Sequence, residues 1–164
     1  MNALTSVKDP MPASLDTSAS RPSCACKLRG GKASLAWVLQ GLAAAILGQT
    51  LFFKFSGADE AVYIFTTLGV EPWGRYFAAV SELVAVLLLL TPRTAVLGAA
   101  MSVGIMLGAI ASHLGPLGIS VKDDGGLLFG MGVVVLIASL GVLAIRREQV
   151  RGYLWQARRL IGAA

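Results

Sequence analysis

A carboxyl in the middle of an apolar run is the residue in this chain that most needs a reason. Glu82 follows Tyr76-Phe77-Ala78-Ala79-Val80-Ser81 and precedes the aliphatic stretch Leu83 to Leu90. An ionisable group inside a membrane segment costs on the order of 2.5 to 3.5 kcal/mol, so it should face other helices and find a partner there. Two uses stay open: a protonated or hydrogen-bonded packing residue, or a site for a proton, a quinone or another ligand. A nearby cation would keep Glu82 charged. Lys54 closes the first apolar segment, Arg75 opens the second, His113 ends the third, and Lys122, Asp123 and Asp124 occupy the loop beyond it. Singly, Lys54 and Arg75 read as snorkelling anchors and His113 as a helix-end hydrogen-bonding residue. A metal centre needs more nitrogen, oxygen or sulfur donors than one histidine supplies, and none is expected. Cys24 and Cys26 are too few for a disulfide framework or a zinc site, which leaves two thiols available for a soft metal or for no function.

The elements that must position these groups are set by composition. The chain has 164 residues, 55% hydrophobic and 14% charged, with net charge +5, and its mean hydropathy is +0.72. A soluble domain carries about 25% charged residues. Here the charges are depleted from four stretches, Leu35 to Phe53, Arg75 to Thr91, Thr94 to Leu114 and Gly126 to Ile145, of which the second alone holds any, Arg75 and Glu82. Each is long enough to cross a hydrocarbon core of roughly 30 Å. The expected fold class is therefore all-α: an integral membrane four-helix bundle. Soluble enzyme classes are excluded.

Three segments make up the chain. Residues 1–33, rich in Ser, Pro, Ala and Thr, read as a disordered tail without a signal peptide, so the first span is the expected targeting signal. Residues 34–145 hold the four spans, and residues 146–164 form a basic amphipathic helix with Val150, Tyr153, Leu154, Ala157 and Ile161 on one stripe. Ala61 to Leu68 is a candidate interfacial helix. The Pro92-Arg93 turn forces an antiparallel hairpin of spans two and three.

Four spans place both termini on one side. That side carries Lys8, Arg21, Lys27, Arg29, Lys32, Arg93, Arg146, Arg147, Arg151, Arg158 and Arg159, against Lys54, Arg75 and Lys122 on the other. The asymmetry predicts cytoplasmic termini. It also accounts for the net positive charge without a nucleic-acid partner. Lys54, Arg75, Glu82, His113, Asp123 and Asp124 then converge on the outer mouth of one bundle, with Glu82 roughly 10 Å below the surface. The C-terminal arginines suit anionic lipid or a soluble partner. Between helices, Gly104, Gly108 and Ser112 form a small-residue seam, with Gly98 and Ser102 on the neighbouring stripe. Such a seam packs helices within one bundle or joins two copies in a homo-oligomer. Gln40 and Gln49 are expected to hydrogen-bond between helices.

The chain resembles the DoxX and DoxX-like family of small four-helix bacterial membrane proteins. Phe53-Lys54-Phe55, Leu68-Gly69, Glu82-Leu83 with Thr91-Pro92-Arg93, His113-Leu114-Gly115 and Asp124-Gly125-Gly126 carry the resemblance across residues 35 to 147. It implies a bacterial cytoplasmic (inner) membrane location and an accessory subunit associated with redox complexes, as in thiosulfate to quinone oxidoreductases. It is also similar to methylamine-utilisation accessory proteins, whose redox cysteines would fall near Asp124; this chain has none there. No cofactor is intrinsic to the residues, and a quinone is the candidate ligand. A redox subunit with borrowed electron carriers is the leading expectation. A small-solute or proton permease using Glu82, or a scaffold recruiting a soluble protein, are the alternatives.

Overall fold

The computed structural model describes residues 30–162, with side chains as far as residue 155. Six helices follow one another: α1 (Gly31–Ser56), α2 (Asp59–Thr67), α3 (Trp73–Leu90), α4 (Ala95–Ser112), α5 (Leu127–Ile145) and α6 (Arg147–Gly162). Among the described residues there is no strand. α1, α3, α5 and the stretch Ala95–Leu117 are each long and apolar enough to cross a membrane. The interfacial helix expected at Ala61 to Leu68 is α2, and the expected C-terminal helix is α6. Most of the expected tail, with Cys24 and Cys26, lies outside the described residues; Gly31 to Ala33 at its end already belong to α1.

The spans make a ring in which α1 packs on α3 and α5, and α4 packs on the same two. α1, at 26 residues, is the longest, about 39 Å at 1.5 Å per residue. It stops where Gly57 turns left-handed at φ 68 and returns its N–H to Phe53 O. That conformation is open to glycine without a Cβ penalty. Leu87, Leu107 and Ile137 face outward at 59%, 54% and 64% exposure, as helices against lipid require. Phe52, Trp73, Tyr76 and Phe77 are exposed around one end, where aromatic rings suit the membrane interface.

The two ends of the ring differ. At the end holding the Pro92-Arg93 turn, Ala43, Leu89, Ala99, Ala138 and Val142 fill the centre, all 2% exposed or less. α3 and α4 touch backbone to backbone there: a Cβ on Gly98 would stand 2.5 Å from Leu89 N and 2.8 Å from Leu88 C. Gly98 and Ser102 are buried, whereas Gly104 and Gly108 are exposed, with open space where a Cβ would go. Within the single chain, the Gly104 and Gly108 stripe therefore does not bring two helices together. Close packing runs along the Gly98 stripe, and Ser112 donates only within its own helix, to Gly108 O at 3.0 Å.

The packed end is also tied by Arg146, 6% exposed at the start of α6's approach. Its guanidinium donates to Pro92 O at 3.1 Å, Gln40 Oε1 at 3.4 Å and Gln149 Oε1 at 3.3 Å. One side chain thus joins α1, the α3–α4 turn and the α5–α6 junction. Tyr153 of α6 adds a bond to Arg93 O at 2.6 Å. Gln40, buried completely, does hydrogen-bond between elements.

Candidate functional site

The opposite end of the ring is hollow. Its polar wall begins with the helical spacing of α1: Thr50 and Lys54 are four residues apart and share a face. Across from them, Glu82 of α3 is 3% exposed. Lys54 Nζ donates to Glu82 Oε1 at 2.7 Å and Oε2 at 2.9 Å, and Thr50 Oγ1 lies 3.2 Å from Oε2. Glu82 therefore has the cation that its position demands, and the two charges cancel inside the bundle.

Arg75 is not part of that contact. Its Nε and one terminal nitrogen both lie 2.8 Å from Glu71 Oε1, and the other terminal nitrogen donates to Lys54 O. The last four carbonyls of a helix lack intrahelical donors, so Arg75 serves one of those at the end of α1. Its positive charge suits that negative helix end. Arg75 thus supports the backbone that carries Lys54.

His113 ends α4. The chain leaves the regular helix there through the wide turn His113–Leu117, which contains Pro116 and a kink at Gly115 (φ −107, ψ −113). The His113 ring is 7% exposed, edge-on to Phe129 at 5.9 Å between centroids, with Nδ1 3.0 Å from Gly118 O. Asp124 caps α5. Its Oδ1 accepts from Val121 N and Gly126 N, each at 2.9 Å, and Oδ2 from Leu128 N at 3.0 Å. The Leu128 N–H foremost, with those of Gly126 and Val121 and the Ser120 side chain, holds the Asp124 carboxyl below its ordinary value against the opposing effect of burial. Lys122 and Asp123 pass through left-handed conformations at φ 50 and 62, and Lys122 Nζ stands 5.9 Å from the Tyr63 ring of α2.

Between these elements lies a cavity of about 560 Å³, lined by Lys54, Glu82, His113 and Asp124 together with mostly apolar side chains from α1, α2, α4 and α5. Leu47, Met106 and Val135 belong to both its wall and the packed core, so they form its floor. Gly108 lines it too. The missing side chain that was expected to bring two helices together instead leaves room. Ligand sites typically enclose about 300 to 1,000 Å³ of mostly apolar surface with a few polar groups. This chamber has those proportions.

Of the six residues expected at one mouth, four line the cavity. Arg75 stands behind it, and Asp123 is in the exposed loop. Thr50, Glu71 and Glu60 stood outside that expected group of six. The four-residue spacings Thr50 to Lys54 and Glu71 to Arg75 are the signals that carry the first two. Among the described residues no group of three or more His, Cys, Asp or Glu gathers as a metal site would need.

The DoxX-like family profile matches residues 38–140. The chain belongs to the DoxX-like family. The matched span runs from α1 into α5 and includes every residue of the polar wall and the cavity floor, so the DoxX-like region and the hollow bundle coincide. No curated protein and no solved structure gives a significant match to this DoxX-like chain.

Proposed function

We propose that this DoxX-like membrane protein is an accessory, quinone-proximal subunit of a redox complex, with the cavity receiving the head group of a lipophilic ligand. The observation that carries the reading is the joining of Lys54, Glu82 and His113 to one apolar chamber. The residues present fit the head of a quinone–quinol couple, with Lys54 as a charged donor and the His113 imidazole at the polar wall, and Ile46, Phe65 and Met131 for its apolar body. A bound quinone would supply two-electron, two-proton redox chemistry. The protein's part is to orient the head group at Lys54 and His113 and to keep the pocket dry. The internal pairing of Glu82 with Lys54 favours this binding role over the permease, in which Glu82 acts as a lone titrating site. The partner redox subunits supply the electron carriers.

The bilayer is the bacterial cytoplasmic membrane in this reading, with residues 1–33 and 146–164 on its cytoplasmic side. The charge asymmetry of the sequence supports that orientation. Cys24 and Cys26 test it: a membrane-impermeant thiol reagent should leave intact cells unlabelled and label them after permeabilisation. Labelling of intact cells would reverse the topology. The redox role is tested by isolating the protein from native membranes. Redox subunits and extractable quinone should accompany the wild type, and the quinone should be absent from Gly108→Leu, whose side chain would enter the chamber. Equal quinone recovery from both proteins would refute the assignment.

A further inference from the structure

The cavity's polar groups can be counted by which protons and lone pairs remain free. Glu82 is nearly sealed from solvent, and both of its oxygens are engaged. Asp124 is held by three backbone N–H groups. Thr50 has one proton and two acceptors in reach, Leu47 O at 2.9 Å and Glu82 Oε2 at 3.2 Å. Ser112 donates to Gly108 O. Gln49 and Glu60, the other polar lining residues, are exposed.

Two nitrogen-bearing side chains keep an unengaged group. An ammonium has three N–H groups; Lys54 directs two at Glu82, and its side chain stays 17% exposed. His113 supplies the second. Gly118 O can only accept, so Nδ1 must be the donor, and in the neutral ring Nε2 carries a lone pair. Among the described residues no protein partner meets Nε2. Lys54 thus offers the chamber a donor and His113 a nitrogen acceptor, a stronger base than the hydroxyl lone pairs that Thr50 and Ser112 retain.

We infer that the cavity selects lipophilic molecules whose polar end is a hydroxyl, of phenol or quinol type, that accepts from Lys54 and donates to His113 Nε2. The inference rests on the reading of this cavity as a lipophilic-ligand site. A carbonyl or an ether can answer Lys54 but leaves Nε2 facing the ligand without a proton. A buried polar group left unmatched is the usual means by which a site rejects an analogue lacking the matching hydrogen. His113 is the selecting residue and Lys54 the anchoring one.

Two redox-inert probes separate the possibilities: 4-decylphenol and its methyl ether, 4-decylanisole, titrated into the full chain in lipid nanodiscs and corrected for partition into empty nanodiscs. The phenol should bind about three- to tenfold more tightly, the worth of one hydrogen bond. His113→Phe, which keeps a ring against Phe129, should bring the two affinities together while still binding the ether. Equal binding of the two probes by the wild type would overturn the hydroxyl selection and leave the lipophilic cavity standing. A phenol preference that survives His113→Phe would also overturn it, because the added methyl would then be the discriminating feature. Binding of neither probe would overturn both the selection and the cavity reading.

Discussion

Lys54 and Glu82 close on each other at 2.7 Å and 2.9 Å across α1 and α3, and the two side chains differ sharply in exposure, 17% against 4%. The more deeply placed partner is the acid. Removing the lysine therefore strands the less solvated charge.

That asymmetry ranks three variants. Breaking a buried pair costs about 3 to 5 kcal/mol, whereas replacing both partners by apolar groups is often neutral. Lys54→Met should lower thermal stability in nanodiscs the most. Glu82→Leu should lower it less, since Lys54 keeps some access to water, and the double variant should recover most of the loss. Additive losses in the double variant would show that the pair contributes no coupling.

Gly98 and Gly108 should respond in opposite directions. A methyl at Gly98 meets the α3 backbone, which cannot yield as a flexible side chain would, so Gly98→Ala should cost at least about 1 to 3 kcal/mol. Gly108→Leu meets open space and leaves stability unchanged or raised, because a better helix former replaces glycine. Thermal unfolding of the two variants checks the ranking.

Asp124 gives the fold an acid-sensitive element. Its carboxyl is held below its ordinary value by the backbone N–H groups it caps. The stabilisation is therefore full above the unfolded carboxyl pKa of about 3.9 and is lost as pH falls through the lower folded value. Asp124→Ala should remove about 1 kcal/mol near neutrality. Its difference from wild type should shrink below about pH 4. Melting temperatures from pH 3 to 7 measure both effects.

Arg146→Met should loosen the packed end. Hydrogen bonds from charged groups contribute about 1.5 to 3 kcal/mol each when their partners are left unmatched, and Arg146 serves Pro92 O, Gln40 Oε1 and Gln149 Oε1. Arg146→Lys should rescue only part of the loss, because an ammonium lacks the planar fork. Faster amide exchange at the start of α6 would accompany the change; unaltered exchange and stability would dismiss the tie.

The spans were legible because apolar length is a property of the sequence: all four helices fall within a few residues of the expected ends. Glu82's need for a partner was equally legible, and Lys54 was among the nearby cations. Arg75 was harder to place, because its carboxylate, Glu71, lies in the preceding loop outside the span. The stripe that packs within the chain was hard to read for a different reason. Gly98 and Gly108 have the same side chain and similar apolar surroundings, and only the distance to the neighbouring backbone tells a contact from a vacancy. The cavity has no sequence signature at all, since it is the space that six separate elements leave between them. Arg146, read as one more positive charge at the membrane surface, is buried.

The chamber has a volumetric consequence. About 560 Å³ of partly open space within so small a ring leaves its lining, where unfilled, with fewer dispersion partners than a packed core gives. Such space makes a folded state vulnerable to hydrostatic compression, because unfolding eliminates void. A guest that fills the chamber removes that weakness without adding a covalent bond. Occupancy of this bundle is therefore legible as mechanical stiffness: the empty protein yields under pressure at its hollow end first, and the filled one resists as a solid rod of side chains.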